Sequence, residues 1–433
     1  MEALRHMIVN LAYGSGRLPV EMPDNTTVIS PREVDGIPDE HAAFTEAVRS
    51  PIGSRPLAQI AGPNDTVAIV IADITRPCPS ERLVPWILEE LAQVPRENFV
   101  IINGTGSHRP NSREELISML GIEVVDTIRI VNHNAFDRST LTKVGRTSYG
   151  ADVWLNNDYL KATVKIVTGF IEPHFFAGFS GGPKGIVPGV AGIDTIMHLH
   201  NARMIGDPAS TWGSLSPNPV QAEAREGVAF APPDFLVNVS INSRRQITGV
   251  FAGNYLSAHE TGCRFVARHA TRPVDGEFDI VVTTNSGYPL DQNLYQTVKG
   301  MSAASRIVKE NGAIIVASEC REGFPSHGNF KSILQMRDNP TDLLRMIEDP
   351  SFSMFDQWEA QTQAMVARHA RIYLYSSMPD SEVRQAMLEP IASITETISS
   401  LVAKVGAGAR IAALPEGPQT IPYVGDPVSP SRL

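Results

Sequence analysis

The residues able to move protons or meet an anion gather in a few short stretches. Asp73, Thr75 and Arg76 lie in DITRPCPS, His108 in TGSHRP, and His174 and Lys184 in EPHFFAGFSGGPKG, where glycines surround a single lysine. His200 ends the HLH that follows, and Tyr295, Gln296 and Lys299 stand together in GYPLDQNLYQTVKG. Imidazole has an unperturbed pKa of about 6.5, so His108 and His174 suit general acid and base work near neutrality. Arg76 can fork onto a carboxylate, and Lys299 can add a point charge. Gly178, Gly181, Gly182 and Gly185 free the backbone around Lys184 to approach a ligand and turn N–H groups toward it, which suits phosphate. The run is not a Walker A loop, because Gly185 and Ile186 follow where Ser or Thr is needed, and it does not match GxGxxG.

Each of these residues has a plainer reading when taken singly. Asp73 could cap a turn, Arg76 could pair with a surface carboxylate, a loop histidine could be structural, and the glycines could serve tight turns. His200 needs a separate argument. The segment IDTIMHLHNARMI predicts a helix starting near Asp194, with Ile193, Ile196, Met197, His200 and Met204 at three- and four-residue intervals on one face. That turns His200 inward and places His198 about 200° around the helix, so one regular helix cannot offer both to the same ion. No HExxH motif is present. A metal held by His200 alone would need its other ligands from a cofactor; the competing reading is a core histidine satisfied by a backbone partner.

The elements that must position these groups read as α/β. TVAIVIAD (66–73), NFVIING (98–104), TIRIVN (127–132) and TVKIVTG (163–169) are predicted buried strands, with helices over 80–93 and 112–120 between them. FDIVVTTN (278–285), a helix over 294–310, GAIIVAS (312–318) and ARIYLYS (370–376) repeat the theme, followed by helices near 381–388 and 391–405. Alternating strands and helices imply mostly parallel sheets, here two domains. Residues 1–268 and 269–410 are expected to form these domains, with the polar, Pro- and Gly-containing segment 266–279 at their boundary. The Pro-rich tail, 411–433, is expected on the surface or back against the first domain. In open parallel sheets ligands sit beyond the carboxyl ends of the strands. Each unusual polar cluster in this sequence follows a predicted strand, and that convergence favours a site over the separate plain readings.

Composition narrows the class. The 433 residues carry a formal net charge of -10, which argues against a general nucleic-acid or acidic-membrane surface and asks a local cationic pocket to meet any anion. The cysteines Cys78, Cys263 and Cys320 are scattered without a CxxC, which suits a reducing compartment and no thiolate metal site. No apolar stretch has spanning length, and a cytoplasmic location is expected.

Taken together, DITRPCP, GTGSHRP, EPHFFAGFSGGPKGIVPGVAG with HLHN, and GYPLDQNLYQTVKG resemble the nickel-pincer lactate racemase family over nearly the whole chain. The resemblance implies a pyridinium mononucleotide whose two thiocarbonyl groups hold nickel in a planar SCS pincer. It implies attachment of that cofactor at Lys184 and nickel ligation by His200, with Asp73, Thr75, Gly178, Ser180, Gly181 and Gly182 on the cofactor side. It further implies His108 and His174 as the acid/base pair, Arg76, Tyr295, Gln296, Lys299 and Trp358 around the substrate, and a cofactor-binding domain of residues 1–268 on whose substrate a second domain, 269–410, closes about a hinge near 266–279. The implied partners are a small 2-hydroxy acid and the cofactor's maturation enzymes: a carboxylase, a sulfur transferase and a nickel insertase. The implied reaction is racemisation or epimerisation of a 2-hydroxy acid by hydride transfer, with lactate or a short-chain aliphatic relative ranked first. Tyr295, Phe175, Phe176 and Trp358 are candidate pocket walls, and ordinary packing competes for Trp358. The alternatives are a divalent-metal hydrolase or lyase using His108, His174 and His200, and a protein that binds an organic anion without turnover.

Overall fold

The computed structural model describes residues 6–326, 328–406 and 408–425. The chain divides into two compact units that interleave along the sequence. One contains residues 33–199 and 209–269, called here the amino-terminal unit; the carboxy-terminal unit contains 200–208 and 270–425, together with 6–32.

The amino-terminal unit is built on a six-stranded sheet of β1 (Val67–Ala72), β2 (Phe99–Gly104), β3 (Arg129–Asn132), β4 (Val164–Phe170), β5 (Phe235–Ile241) and β6 (Ile247–Gly253), in the order β6-β5-β4-β1-β2-β3. All neighbours are parallel except β5 and β6. The run VAIVIA of β1 is apolar throughout because the strand is covered on both faces, and Val67, Ile69 and Ile71 join Leu83, Val84 and Ile87 in one core. Those last three lie on α1 (Ser80–Glu90), and α2 (Arg113–Leu120) is fixed at its start by a capping box of Ser112 and Glu115. Chain order runs from β1 out to β3 on one side, then returns to β4 on the other. The strand order therefore reverses between β1 and β4, the place where open α/β sheets bind ligands.

The carboxy-terminal unit repeats this logic with β7 (Phe278–Thr284), β8 (Val308–Ala317), β9 (Arg371–Tyr375), β10 (Glu389–Pro390) and β11 (Ile411–Leu414) in the order β10-β9-β8-β7-β11, all parallel, with Thr27–Val28 beside β11. Here the order reverses between β7 and β11. The described part of the tail is thus neither a surface segment nor part of the amino-terminal unit: Ile411–Leu414 is buried in the second sheet, and Ile421–Val424 pairs with Thr271–Val274. Residues 426–433 lie outside the described residues. The antiparallel hairpin of His6–Tyr13 and Gly16–Pro23 also belongs to this unit and packs Val9, Leu11, Val20 and Met22 into its core.

Two predicted helices differ from those observed. The helix expected from Asp194 through Met204 is broken: α3 spans Ile193–Leu199, and α4 spans Ala202–Gly206 after Asn201, whose side chain accepts the Met204 N–H at 2.9 Å. Asn201 has an extended backbone (φ -71°, ψ 163°), so it is an N-cap that starts a new helix. The helix expected over 294–310 ends earlier; it forms α6 (Leu294–Ser305), with Val308 already in β8. Among the described residues no helix is long and apolar enough to cross a membrane, and the three cysteines are free.

Candidate active site

The turn after β1 carries Asp73, Thr75 and Arg76, and the turn after β2 carries His108. They form one cluster. Asp73 is 3% exposed, accepts a hydrogen bond from Thr75 Oγ1 at 2.8 Å, and places Oδ2 2.8 Å from His108 Nδ1. Burial by itself would raise the Asp73 pKa. The His108 hydrogen bond, the charges of His108 and Arg76 and the Thr75 bond outweigh it, holding the carboxyl below its usual range. A carboxylate only accepts, so Nδ1 of His108 carries the proton and Nε2 is left as the basic nitrogen. Because the folded pKa is depressed, this carboxylate contributes stability above the ordinary Asp value of about 3.9, and the contribution is lost as pH falls through the depressed value. Asp73→Asn should therefore be less stable than the parent at neutral pH, with the two chains converging in acid; unfolding curves across pH measure this.

The segment after β4 is folded back on itself to present Lys184. Pro173 and His174 pair antiparallel with Phe179 and Gly178. Ser180 Oγ accepts the Glu172 N–H and donates to Phe170 O, both at 2.9 Å. A short 3-10 turn, Gly182–Gly185, then carries Lys184, whose Nζ lies 3.2 Å from His174 Nε2 and 5.3 Å from the centre of the Phe176 ring. His174 Nδ1 accepts the Ala177 N–H at 3.3 Å. An amide N–H only donates, so Nδ1 of His174 is an acceptor, and Nε2 faces the Lys184 amine. Phe175 and Phe176 are buried against His174, with ring centres 4.9 and 4.5 Å from it.

In the structure the glycines of this segment meet protein atoms. Gly178 has φ +75°, and a Cβ there would lie 2.1 Å from Ser214 O. Gly182 has φ +55°, rests on the His259 ring, which a Cβ would approach to 2.4 Å, and donates its N–H to Asn238 Oδ1 at 2.8 Å. Left-handed backbone together with a collision has a definite cost: Gly178→Ala should destabilise the chain by about 1–3 kcal/mol, measured as a lowered thermal midpoint. His259 Nε2 lies 2.9 Å from Ser180 O, and burial pushes this imidazole down to about 4, so it stays neutral and donates. Sequence reasoning missed both supports of the Lys184 turn. Asn238 carried a signal, a lone amide inside the apolar strand FLVNVSI, but His259 in the helix α5 (Ser257–Ala270) carried none.

The carboxy-terminal unit assembles the remaining residues around α6. Asn293 Oδ1 caps the helix by accepting the Gln296 N–H at 3.2 Å, which puts Tyr295, Gln296 and Lys299 in its opening turns beyond β7, at that sheet's reversal point. Lys299 Nζ donates to Gln296 Oε1 at 3.0 Å. Trp358, in α7 (Gln357–His369), donates Nε1–H to Tyr295 Oη at 3.1 Å, and its rings stand 4.9 Å from His200. His200 is 7% exposed. It is inward, as expected, but because it lies in the break between α3 and α4 and not on one continuous helix face. Residues 200–208 belong to the carboxy-terminal unit, where Gln361 donates to Ala202 O at 2.8 Å. His198, one residue before the end of α3, pairs with buried Glu223 at 2.9 Å in the amino-terminal unit. Among the described residues no group of three or more His, Cys, Asp or Glu is placed to hold a metal ion.

Known proteins match this chain along most of its length. The lactate racemase N-terminal domain family matches residues 13–213 and the lactate racemase C-terminal domain family matches 275–421. A lactate racemase of Lactiplantibacillus plantarum is 35% identical over 381 residues, 87% of this chain and 90% of the relative. A lactate racemase of Thermoanaerobacterium thermosaccharolyticum is 31% identical over 424 residues, 95% and 98%. The solved lactate racemase apoprotein from Thermoanaerobacterium thermosaccharolyticum superposes with a TM-score of 0.91 at 30% identity, covering 97% of this chain and all of that one. A Thermotoga maritima protein of 17% identity and TM-score 0.69 shares the fold. The chain belongs to the lactate racemase family of isomerases.

Proposed function

We propose that this protein interconverts the enantiomers of lactate or a closely related short-chain aliphatic 2-hydroxy acid. The observation that carries the reading is the pair of imidazoles at the carboxyl edge of the first sheet, each bound through Nδ1, His108 to Asp73 and His174 to the Ala177 N–H, so that Nε2 of each ring is the atom for proton transfer. A racemase needs such a pair, because one group must take the hydroxyl proton of one enantiomer while the other holds a proton for its mirror image. For one enantiomer neutral His108 takes the hydroxyl proton on Nε2 while His174, as the imidazolium, gives one up, because a neutral imidazole is too weak an acid for that step. After one turnover the roles are exchanged. Arg76 is assigned to the substrate carboxylate, with Gln296 and Lys299 as further polar contacts and Tyr295, Trp358, Phe175 and Phe176 as apolar walls.

The residues present fit the nickel-pincer nucleotide that the family resemblance implies. Lys184 offers an amine carried on a short turn, and His200 offers one buried imidazole, with no group of three or more His, Cys, Asp or Glu placed to hold a metal ion among the described residues. A single protein ligand is enough when soft sulfur and carbon donors arrive with the cofactor. Three-histidine ligation by His108, His174 and His200, as a hydrolase would use, draws no such support. Bound through Lys184 and His200, the nucleotide would supply nickel and a carbon able to hold the hydride from the substrate's C2. The turns shaped by Ser180, Gly178, Gly181 and Gly182 set the direction of Lys184. Asp73, itself held by Thr75, fixes the tautomer of His108. Maturation by a carboxylase, a sulfur transferase and a nickel insertase, and a cytoplasmic location, belong to the same proposal.

The test is direct. Protein produced with the maturation enzymes and nickel is incubated with pure D- or L-lactate and followed by chiral chromatography. Approach to the same mixture from either enantiomer is expected. No interconversion by protein shown to carry the cofactor would refute lactate as substrate, and a parallel series with 2-hydroxybutyrate and malate would identify the side chain accepted.

A further inference from the structure

Beneath the turns that carry Asp73 and His108 lies a knot of three asparagines, Asn103, Asn111 and Asn132. Asn103 is fully buried at the end of β2, Asn132 ends β3, and Asn111 is 6% exposed in the loop between β2 and α2. Asn103 Nδ2 donates to Asn111 Oδ1 and to Asn132 Oδ1, both at 2.8 Å. Asn132 is bound to Asn111 twice more: Oδ1 accepts the Asn111 N–H at 3.1 Å, and Nδ2 donates to Asn111 O at 3.0 Å. The same Asn111 Oδ1 accepts the Ile74 N–H at 3.2 Å. That last bond leaves the knot and enters the catalytic turn, because Ile74 stands between Asp73 and Thr75. Asn111 is also three residues beyond His108, so one side chain ties the loop of the histidine to the turn of its carboxylate.

We infer that Asn111 is a positioning residue for the Asp73 and His108 pair. The two partners are 35 residues apart in sequence and ride on separate turns, which leave the sheet after its last paired residues, Ala72 and Gly104. Asn111 supplies that link through Oδ1, while its Nδ2 donates to Glu115 Oε2 at 3.1 Å and so keeps the amide from turning over. Glu115 is itself held by Arg109, which drives its carboxyl down to about 2, so the acceptor stays charged across the working range. Within this buried network the Asn111 and Asn132 amides each accept through oxygen and donate through nitrogen, which sets their orientation, while Asn103 Oδ1 has no hydrogen-bond partner. The consequence for chemistry is specific: without the link, His108 Nδ1 would lose its fixed carboxylate, and both tautomers would be populated.

The test reads the imidazole itself. In cofactor-free protein labelled with nitrogen-15 in histidine, His108 is identified by the signal missing from His108→Gln. The parent is expected to show His108 as the Nδ1–H tautomer with a slowly exchanging, hydrogen-bonded proton. In Asn111→Leu that proton should exchange too fast to observe and the ring nitrogens should report mixed tautomers. Asn111→Asp with Glu115→Gln keeps the oxygen facing Ile74 and reverses the bond to residue 115, and it should restore the parent signal. If Asn111→Leu does not fold, Asn111→Ser, whose oxygen is too short to reach both donors, takes its place. An unchanged His108 signal in Asn111→Leu or Asn111→Ser would overturn the inference, as would equal loss of the signal in the reversed pair, since packing alone would then explain it. In protein carrying the cofactor, kcat should fall about 10- to 100-fold in Asn111→Leu with KM little changed. This second arm rests on the function proposed above; the spectrum requires neither cofactor nor turnover, so failure of the inference and failure of that function are told apart.

Discussion

Replacing His108 by alanine is expected to lower kcat about 10²- to 10⁴-fold in both directions, measured from each pure enantiomer in turn. The equal loss follows from the exchange of roles between the two imidazoles. In the proposed function His108 takes the hydroxyl proton of one enantiomer and returns one to the other, so its removal disables a half of either passage. His174→Ala should behave in the same way. The two variants should differ in stability, however. His108 Nδ1 is the partner of an Asp73 carboxylate that is almost fully buried, and losing it leaves that charge without its strongest support. His174 instead meets a backbone N–H, a lysine and two phenylalanines. A lower thermal midpoint is therefore expected for His108→Ala than for His174→Ala. Loss of activity in only one direction would contradict the shared roles.

Lys184→Ala carries the second large effect. Protein made with the maturation enzymes and nickel should gain a nucleotide-sized mass on the peptide containing Lys184, and the alanine variant should lack it. Racemisation should fall by more than about 10⁴-fold, to the level of protein made without the maturation enzymes, because in the proposed function the two histidines alone have no route for the hydrogen on carbon. The turn itself should persist in the variant. Its shape depends on Gly178, Gly182, Ser180, Asn238 and His259, and none of these contacts uses the lysine side chain. Thermal stability close to the parent's therefore separates loss of attachment from loss of fold. An adduct that persisted in Lys184→Ala would place the attachment elsewhere.

Much of this architecture was legible in the residues. Strands 66–73, 98–104, 163–169 and 278–285 stand out because buried parallel strands are continuous apolar runs, and the observed strands fall within one residue of those limits. The helix break at His200 was harder to see, because Ile193, Ile196, Met197, His200 and Met204 keep helical spacing straight through it. The signal was Asn201, a good N-cap inside a run that periodicity reads as unbroken. The strand Ile411–Leu414 was hidden by its brevity and by the prolines after it. Its place in the sheet comes from pairing with β7, some 130 residues earlier, which no local window reports. The site shows the same division. Strand ends pointed to Asp73, His108, His174 and Lys184 one at a time, but the pairing of Asp73 with His108 and the knot that ties Asn111 to Ile74 are tertiary contacts that spacing alone could not reveal.

The central claim is that the hydrogen on C2 leaves and returns as hydride, so that it never mixes with solvent. Lactate carrying deuterium at C2, offered as one enantiomer to cofactor-loaded protein in ordinary water, tests this most directly. The proposed function predicts that the opposite enantiomer, isolated and weighed by mass spectrometry, still carries deuterium at C2, and that the initial rate falls relative to unlabelled lactate if hydride transfer limits turnover. Product with hydrogen in place of deuterium would contradict it, because loss of the label to water is the mark of a carbon-bound proton removed by a base.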